Sequence, residues 1–130
     1  DAQESRGLGD VYKRQEQTDV DQCRVNFVEV EPGNFAYGYH YHETDEEVFY
    51  IISGTGIVRT ANGDVTVKAG DAITFPTGPE GAHVIRNGSD TEKLVYIDFD
   101  TNNLPEIVHL PDTNQVMAYG KFSNGVYDKK

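Results

Sequence analysis

His40 and His42 stand one residue apart, Glu47 follows five positions later, and His83 lies far downstream, past a Gly70-Asp71 turn and a Pro76-x-Gly78. By type and by spacing these are metal ligands. Successive side chains on a β-strand alternate faces, so His40 and His42 project the same way. Glu47 projects inward with Phe49 and Ile51 if the next strand opens near Glu46. Three imidazoles and one carboxylate make a mixed nitrogen and oxygen site. Such a site suits a divalent transition ion (Fe, Mn, Ni, Cu or Zn) better than Ca or Mg, which prefer all-oxygen shells. Glu46 competes for the carboxylate position, but only Glu47 shares the odd-numbered phase of Phe49 and Ile51. His109 sits in a later apolar run and is read as structural.

Strands must position these groups. From Arg24 onward the chain shows short β-type runs broken by turn residues, with no convincing apolar period of 3.6 residues. Expected strands are Arg24 to Glu31, Phe35 to His42, Glu46 to Ser53, Gly56 to Thr60, Asp64 to Lys68, Ala72 to Phe75, His83 to Asn87, Lys93 to Asp100, Glu106 to Leu110 and Gln115 to Tyr119. That pattern predicts an all-β barrel or sandwich. Pro32-Gly33-Asn34 supplies a bend, Asn62-Gly63 offers the pair favoured by type I′ hairpins, and Asn87-Gly88 repeats it. Alternation separates Val95, Ile97 and Phe99 from Leu94, Tyr96 and Asp98, so one face of that strand is buried. Residues in phase with the ligands, namely Tyr37, Phe49, Ile51, Phe75 and Ile85, with Phe35 and Tyr96 beside them, are expected to line a cavity or fill the core. Arg24, Arg59 and Arg86 are the cations available to an acidic ligand.

With 130 residues and 37% hydrophobic content the chain supports one domain with a modest core. Its net charge of −11 repels phosphate backbones and anionic membrane surfaces, which argues against nucleic acid and membrane partners. Cys23 has no partner for an internal disulfide, and no apolar stretch reads as a signal or a membrane span. A cytoplasmic setting fits these features. Arg6 to Gln15 has no periodic pattern, and DVYKRQ within it resembles translated sequencing-adapter sequence. Residues 1–18 are therefore set aside as a non-native or disordered segment, and 19–130 are taken as the domain.

Laid out in order, these residues resemble the cupin superfamily and its short single-domain branch. The first cupin motif is matched by His40, His42, Glu47 and Gly54, and the second by Gly70, Pro76, Gly78, His83 and Asn87, a motif core spanning 34–87. Two departures stand out. The motif's opening Gly is replaced by Asn34, expected to take the same left-handed turn, with Gly33 one place earlier. The loop Pro79-Glu80-Gly81-Ala82 is longer than usual and is expected to reshape the mouth of the barrel.

The resemblance implies a cupin-type jelly-roll β-barrel, the double-stranded β-helix, holding a divalent ion on His40, His42, Glu47 and His83. It also implies a small oxygen-bearing metabolite as ligand and dioxygenase, decarboxylase or isomerase chemistry. The retained carboxylate argues against the thiol-dioxygenase branch. The alternative is a non-catalytic cupin that binds or senses a sugar or other small molecule. Cupins often pair through sheet edges, so a homodimer is expected.

Overall fold

Turn residues near 32–34, 43–46, 61–62 and 88–93 divide the chain into strands too short to stand alone, whose apolar faces must meet one another. The computed structural model describes residues 11–15 and 20–130. Its strands are β1 (Val11–Gln15), β2 (Cys23–Val30), β3 (Phe35–His42), β4 (Glu47–Ser53), β5 (Thr55–Thr60), β6 (Gly63–Lys68), β7 (Ala72–Phe75), β8 (His83–Asn87), β9 (Leu94–Thr101), β10 (Glu106–Leu110), β11 (Gln115–Tyr119) and β12 (Asn124–Asp128). A single 3₁₀ turn, Pro79–Gly81, is the helical element among the described residues. The ten strands expected from sequence are all present, with ends displaced by at most one residue. Of the segment 1–18, Val11–Gln15 forms β1 and the rest lies outside the described residues.

Two antiparallel sheets build the barrel, one ordered β1-β2-β9-β4-β7 and the other β12-β11-β10-β3-β8-β5-β6. This is an all-β jelly roll. Val28, Val30, Ile51, Leu94 and Tyr96 from the first sheet pack with Ala36, Val58, Val67 and Ile85 from the second in one core. Cross-strand register shows how that core gives way to a site. On the inner face of the first sheet, Val30 pairs with Leu94, and Val28 and Ile51 flank Tyr96. One step further Asn26 and Phe49 flank Asp98, and beyond them Arg24 and Glu47 flank Asp100. Polarity rises row by row toward one end of the barrel.

The buried face of β9 is therefore Leu94, Tyr96, Asp98 and Asp100, while Phe99 is 43% exposed. The apolar row points outward, joining Phe27, Tyr50 and Ile52 on the outer face of the sheet.

Local geometry departs from the sequence reading at two turns. Gly33 takes the left-handed conformation (φ 84°), and Asn34 does not. Gly has no Cβ to clash there, so the earlier residue absorbs the turn. In the hairpin between β5 and β6, Thr60 pairs with Gly63 and the positive φ (109°) falls on Gly63 alone, so the loop is Ala61-Asn62 and not a type I′ turn centred on Asn62-Gly63. Among the described residues, no helix is long and apolar enough to cross a membrane.

Candidate metal centre

The β3 strand carries an irregularity that shapes the site. Ala36 pairs with Ile85 and His40 with His83, so residues 37–39 on β3 face Val84 alone on β8. Tyr37 accommodates the bulge with φ 62° and turns onto the cavity wall. The Gly38 carbonyl of the same bulge lies 2.7 Å from His40 Nδ1. On the loop ahead of β8, the Gly81 carbonyl stands 2.7 Å from His83 Nδ1. Each carbonyl accepts the Nδ1 proton and so fixes the tautomer in which Nε2 carries a free lone pair. The longer loop is thus a 3₁₀ turn with an orienting role. Gly81 fits so tightly that a Cβ there would lie 1.8 Å from the Pro76 carbonyl oxygen.

Glu47 reaches in from the opposite sheet. Its Oε1 lies 2.8 Å from His83 Nε2, 3.6 Å from His42 Nε2 and 3.8 Å from His40 Nε2. Bonds of about 2.1 Å meeting at right angles place neighbouring donors about 3 Å apart, so these spacings fit one shared ion. The donor atoms of His40, Glu47 and His83 all lie within 4.8 Å of one another. Neither nitrogen of the His42 ring makes a hydrogen bond, although both are buried. Buried polar atoms are rarely left so, and an ion on Nε2 would satisfy one of them. The residues present fit a divalent transition ion.

Electrostatics bind the cluster further. Burial opposes charge on Glu47, yet the surrounding imidazoles of His40, His42 and His83 outweigh it and hold the carboxyl well below its usual range. Burial pushes His83 down, against the pull of Glu47. For His42 burial also acts downward, but Glu47 and Glu106 together prevail and raise it. The His83 ring is held mechanically as well, stacked on Phe75 with centroids 3.5 Å apart.

The four histidine and glutamate candidates are brought together, and Glu46 is left exposed. They sit on a cavity of about 290 Å³ whose wall includes Tyr37, Phe49 and Ile85. Of the two places open to them, Ile51 and Phe75 take the core and not the wall: Ile51 lies beside Tyr96, deeper than Phe49, and Phe75 is covered by the His83 ring. Phe35 is 44% exposed. Arg24 reaches the cavity, with its guanidinium on Asp100 at 2.8 and 3.3 Å. Arg59 and Arg86 pair with Asp112 and Asp64 elsewhere on the surface. His109 pairs with Glu43 and stacks on Tyr41, a structural role.

Residues not singled out in the sequence complete the wall: Asn26, Asp45, Asp98, Asp100 and Glu106. Asp98 and Asp100 alternate with Phe99 and share the inward phase of Tyr96, which strand pairing makes visible. Glu106 accepts hydrogen bonds from the backbone N–H groups of Thr44, Asp45 and Ile107, and its Oε2 lies 3.4 Å from His42 Nδ1. Asp45 accepts from the side chain of Thr101 and from Asn103 through both its backbone and its amide.

Comparison with known proteins agrees with this geometry. The cupin domain family matches residues 26–100, more than half of the chain, and the chain belongs to that family. It is 34% identical over 61 residues to an oxalate-binding protein of Thermotoga maritima, a match covering 47% of this chain and 49% of the relative. An uncharacterised protein of Methanocaldococcus jannaschii is 42% identical over 48 residues, covering 37% of each. The chain thus spans about half or less of the length of the curated relatives it matches. Among solved structures, a cupin sugar phosphate isomerase from Silicibacter pomeroyi superposes with a TM-score of 0.81 at 21% identity, over 90% of this chain and 76% of that one. A predicted oxalate decarboxylase from Thermotoga maritima gives 0.62 at 26% identity, over 72% and 81%.

Proposed function

We propose that this cupin holds a divalent transition ion on His40, His42, Glu47 and His83 and acts there on a small oxygen-bearing metabolite, by isomerase, decarboxylase or dioxygenase type chemistry. The observation that supports this most is the approach of three Nε2 atoms to one oxygen of Glu47, at the wall of a cavity. A bound ion would supply a Lewis acid, with coordination room left for substrate oxygen. The chain's own residues do the rest. Carbonyls of Gly38 and Gly81 keep two imidazoles presenting Nε2, and Glu106 stands behind the third. Phe49 and Phe75 pack against the His83 ring and exclude water from that side of it.

Elemental analysis of protein purified without a polyhistidine tag, followed by turnover assays of the loaded protein, tests the reading. Turnover that disappears in His42→Ala supports it. Saturable ligand binding without product makes the chain a binding module, and a protein that takes up no ion overturns the reading.

A homodimer and a cytosolic setting belong to the same reading. Phe27, Tyr50, Ile52 and Phe99 form an exposed apolar surface without charge among them, and a chain of net charge −11 can meet its own copy most cheaply there. The half-buried, unpaired Cys23 is compatible with a reducing compartment.

A further inference from the structure

The lining of the cavity carries information about what enters. Asp45, Glu47, Asp98, Asp100 and Glu106 line it, against one guanidinium, that of Arg24, among the described residues. Arg24 is already paired with Asp100, two of its nitrogens engaging the two carboxylate oxygens. Asp45 and Glu106 are held by N–H groups of neighbouring loops. Asn26 differs from all of these. It is 7% exposed, it lines the cavity, and its Oδ1 has no hydrogen-bond partner. An acceptor left unpartnered at that burial forfeits the hydrogen bonds it had in water, which a ligand donor would restore.

From this arrangement we infer that the β2/β9 wall, centred on Asn26, Asp98 and Asp100, is a recognition subsite for a neutral polyhydroxylated molecule, a free sugar or polyol without phosphate or carboxylate. The inference rests on the metal-dependent reading above and narrows its substrate class. Hydroxyl groups donate, and this wall is made of acceptors. Two hydroxyls of such a ligand would occupy the metal side while a third donates to Asn26 Oδ1. A carboxylate or phosphate placed at the same wall would face Asp98, while the one guanidinium there is already paired with Asp100, and like charges in a buried site repel strongly.

Calorimetric titration of the full, metal-loaded chain tests this with three kinds of probe: oxalate, glucose 6-phosphate, and a panel of unphosphorylated aldoses and ketoses. At least one neutral sugar is expected to bind at least about tenfold more tightly than either anion. Asn26→Leu is expected to weaken that binding about tenfold while the affinity for metal stays unchanged, and Asn26→Ser, which keeps an acceptor, to lose less. Tighter binding of oxalate or of the phosphate overturns the inference, as does the absence of any sugar binding below about 10 mM or full sugar affinity in Asn26→Leu. Metal titration without sugar is run first. Its failure counts against the metal-dependent reading, whereas a loaded chain that prefers oxalate counts against the subsite alone.

Discussion

His42 presents one ring nitrogen to Glu47 and the other to Glu106, with Nδ1 3.4 Å from Glu106 Oε2. Glu106 itself is fixed by three backbone N–H groups, so it can orient the imidazole and not simply follow it. Carboxylates in that position behind a ligating histidine typically tune metal affinity by about 10- to 100-fold. Glu106→Gln is expected to lower metal affinity within that range in a chelator competition assay. An unchanged dissociation constant would assign Glu106 to the loop architecture only.

Metal binding should also appear as stability. An ion at about a thousand times its dissociation constant stabilises the native state by about 4 kcal/mol, provided the unfolded chain does not bind it. The melting temperature of the unaltered chain should rise on adding the ion, and His42→Ala and His83→Ala should each abolish most of that rise. Melting curves with and without chelator measure it.

The pH dependence follows from His42. Its pKa is raised above 6.5 by Glu47 and Glu106, overcoming burial, so the folded ring keeps its proton at pH values where a free imidazole has lost it. An ion must displace that proton. Apparent metal affinity should therefore climb as pH rises through and above 6.5 and level off once the folded ring is deprotonated. In the metal-free chain the sign is reversed for this group. The native state binds more protons than the unfolded one in the same window, and the stability His42 contributes is lost as pH rises through its folded pKa. Affinity that is flat from about pH 6 to about pH 8 would contradict the first statement.

Gly81→Ala should damage both fold and site. A Cβ at Gly81 would meet the Pro76 carbonyl at 1.8 Å, and the loop would have to move. The Gly81 carbonyl that holds His83 Nδ1 would move with it. The expected result is a destabilisation of about 1 to 3 kcal/mol in urea denaturation together with weakened metal binding.

Association through the outer face of the first sheet is checked by Phe99→Glu and Tyr50→Glu. Each places a carboxylate among these exposed apolar side chains, at residues 43% and 47% exposed, so the isolated fold should tolerate it. Light scattering should report a dimer for the unaltered chain and a monomer for each variant. A monomer in all three cases would remove the dimer.

The fold and the meeting of three imidazoles with Glu47 were legible because both depend on local signals. Strands showed as apolar runs between turn residues, and the cluster showed as His40 and His42 in phase with one downstream His at motif spacing. The polar wall was not legible, for a reason visible in β9. There Val95, Ile97 and Phe99 form the more apolar row, yet the row facing the interior is Leu94, Tyr96, Asp98 and Asp100. A cavity that holds a polar ligand inverts the usual alternation, and only pairing with Asn26, Arg24 and Glu47 reveals it. Asn124–Asp128 escaped notice because a five-residue strand containing Gly carries little β signal. Glu106 was missed because a lone acid after Pro105 gives no hint that three amides converge on it.

The widening of β3 opposite Val84 makes the centre unusually sensitive to chain length at one spot. Because side chains alternate with a period of two, loss of a single amino acid among positions 37–39 would swing the imidazoles of 40 and 42 out to solvent or misalign the pairing beyond. Most of the hydrogen-bonded scaffold and the buried apolar layer would survive such a deletion. The imidazole cluster of this barrel could thus be dispersed by the loss of one codon while the shell that houses it stays intact.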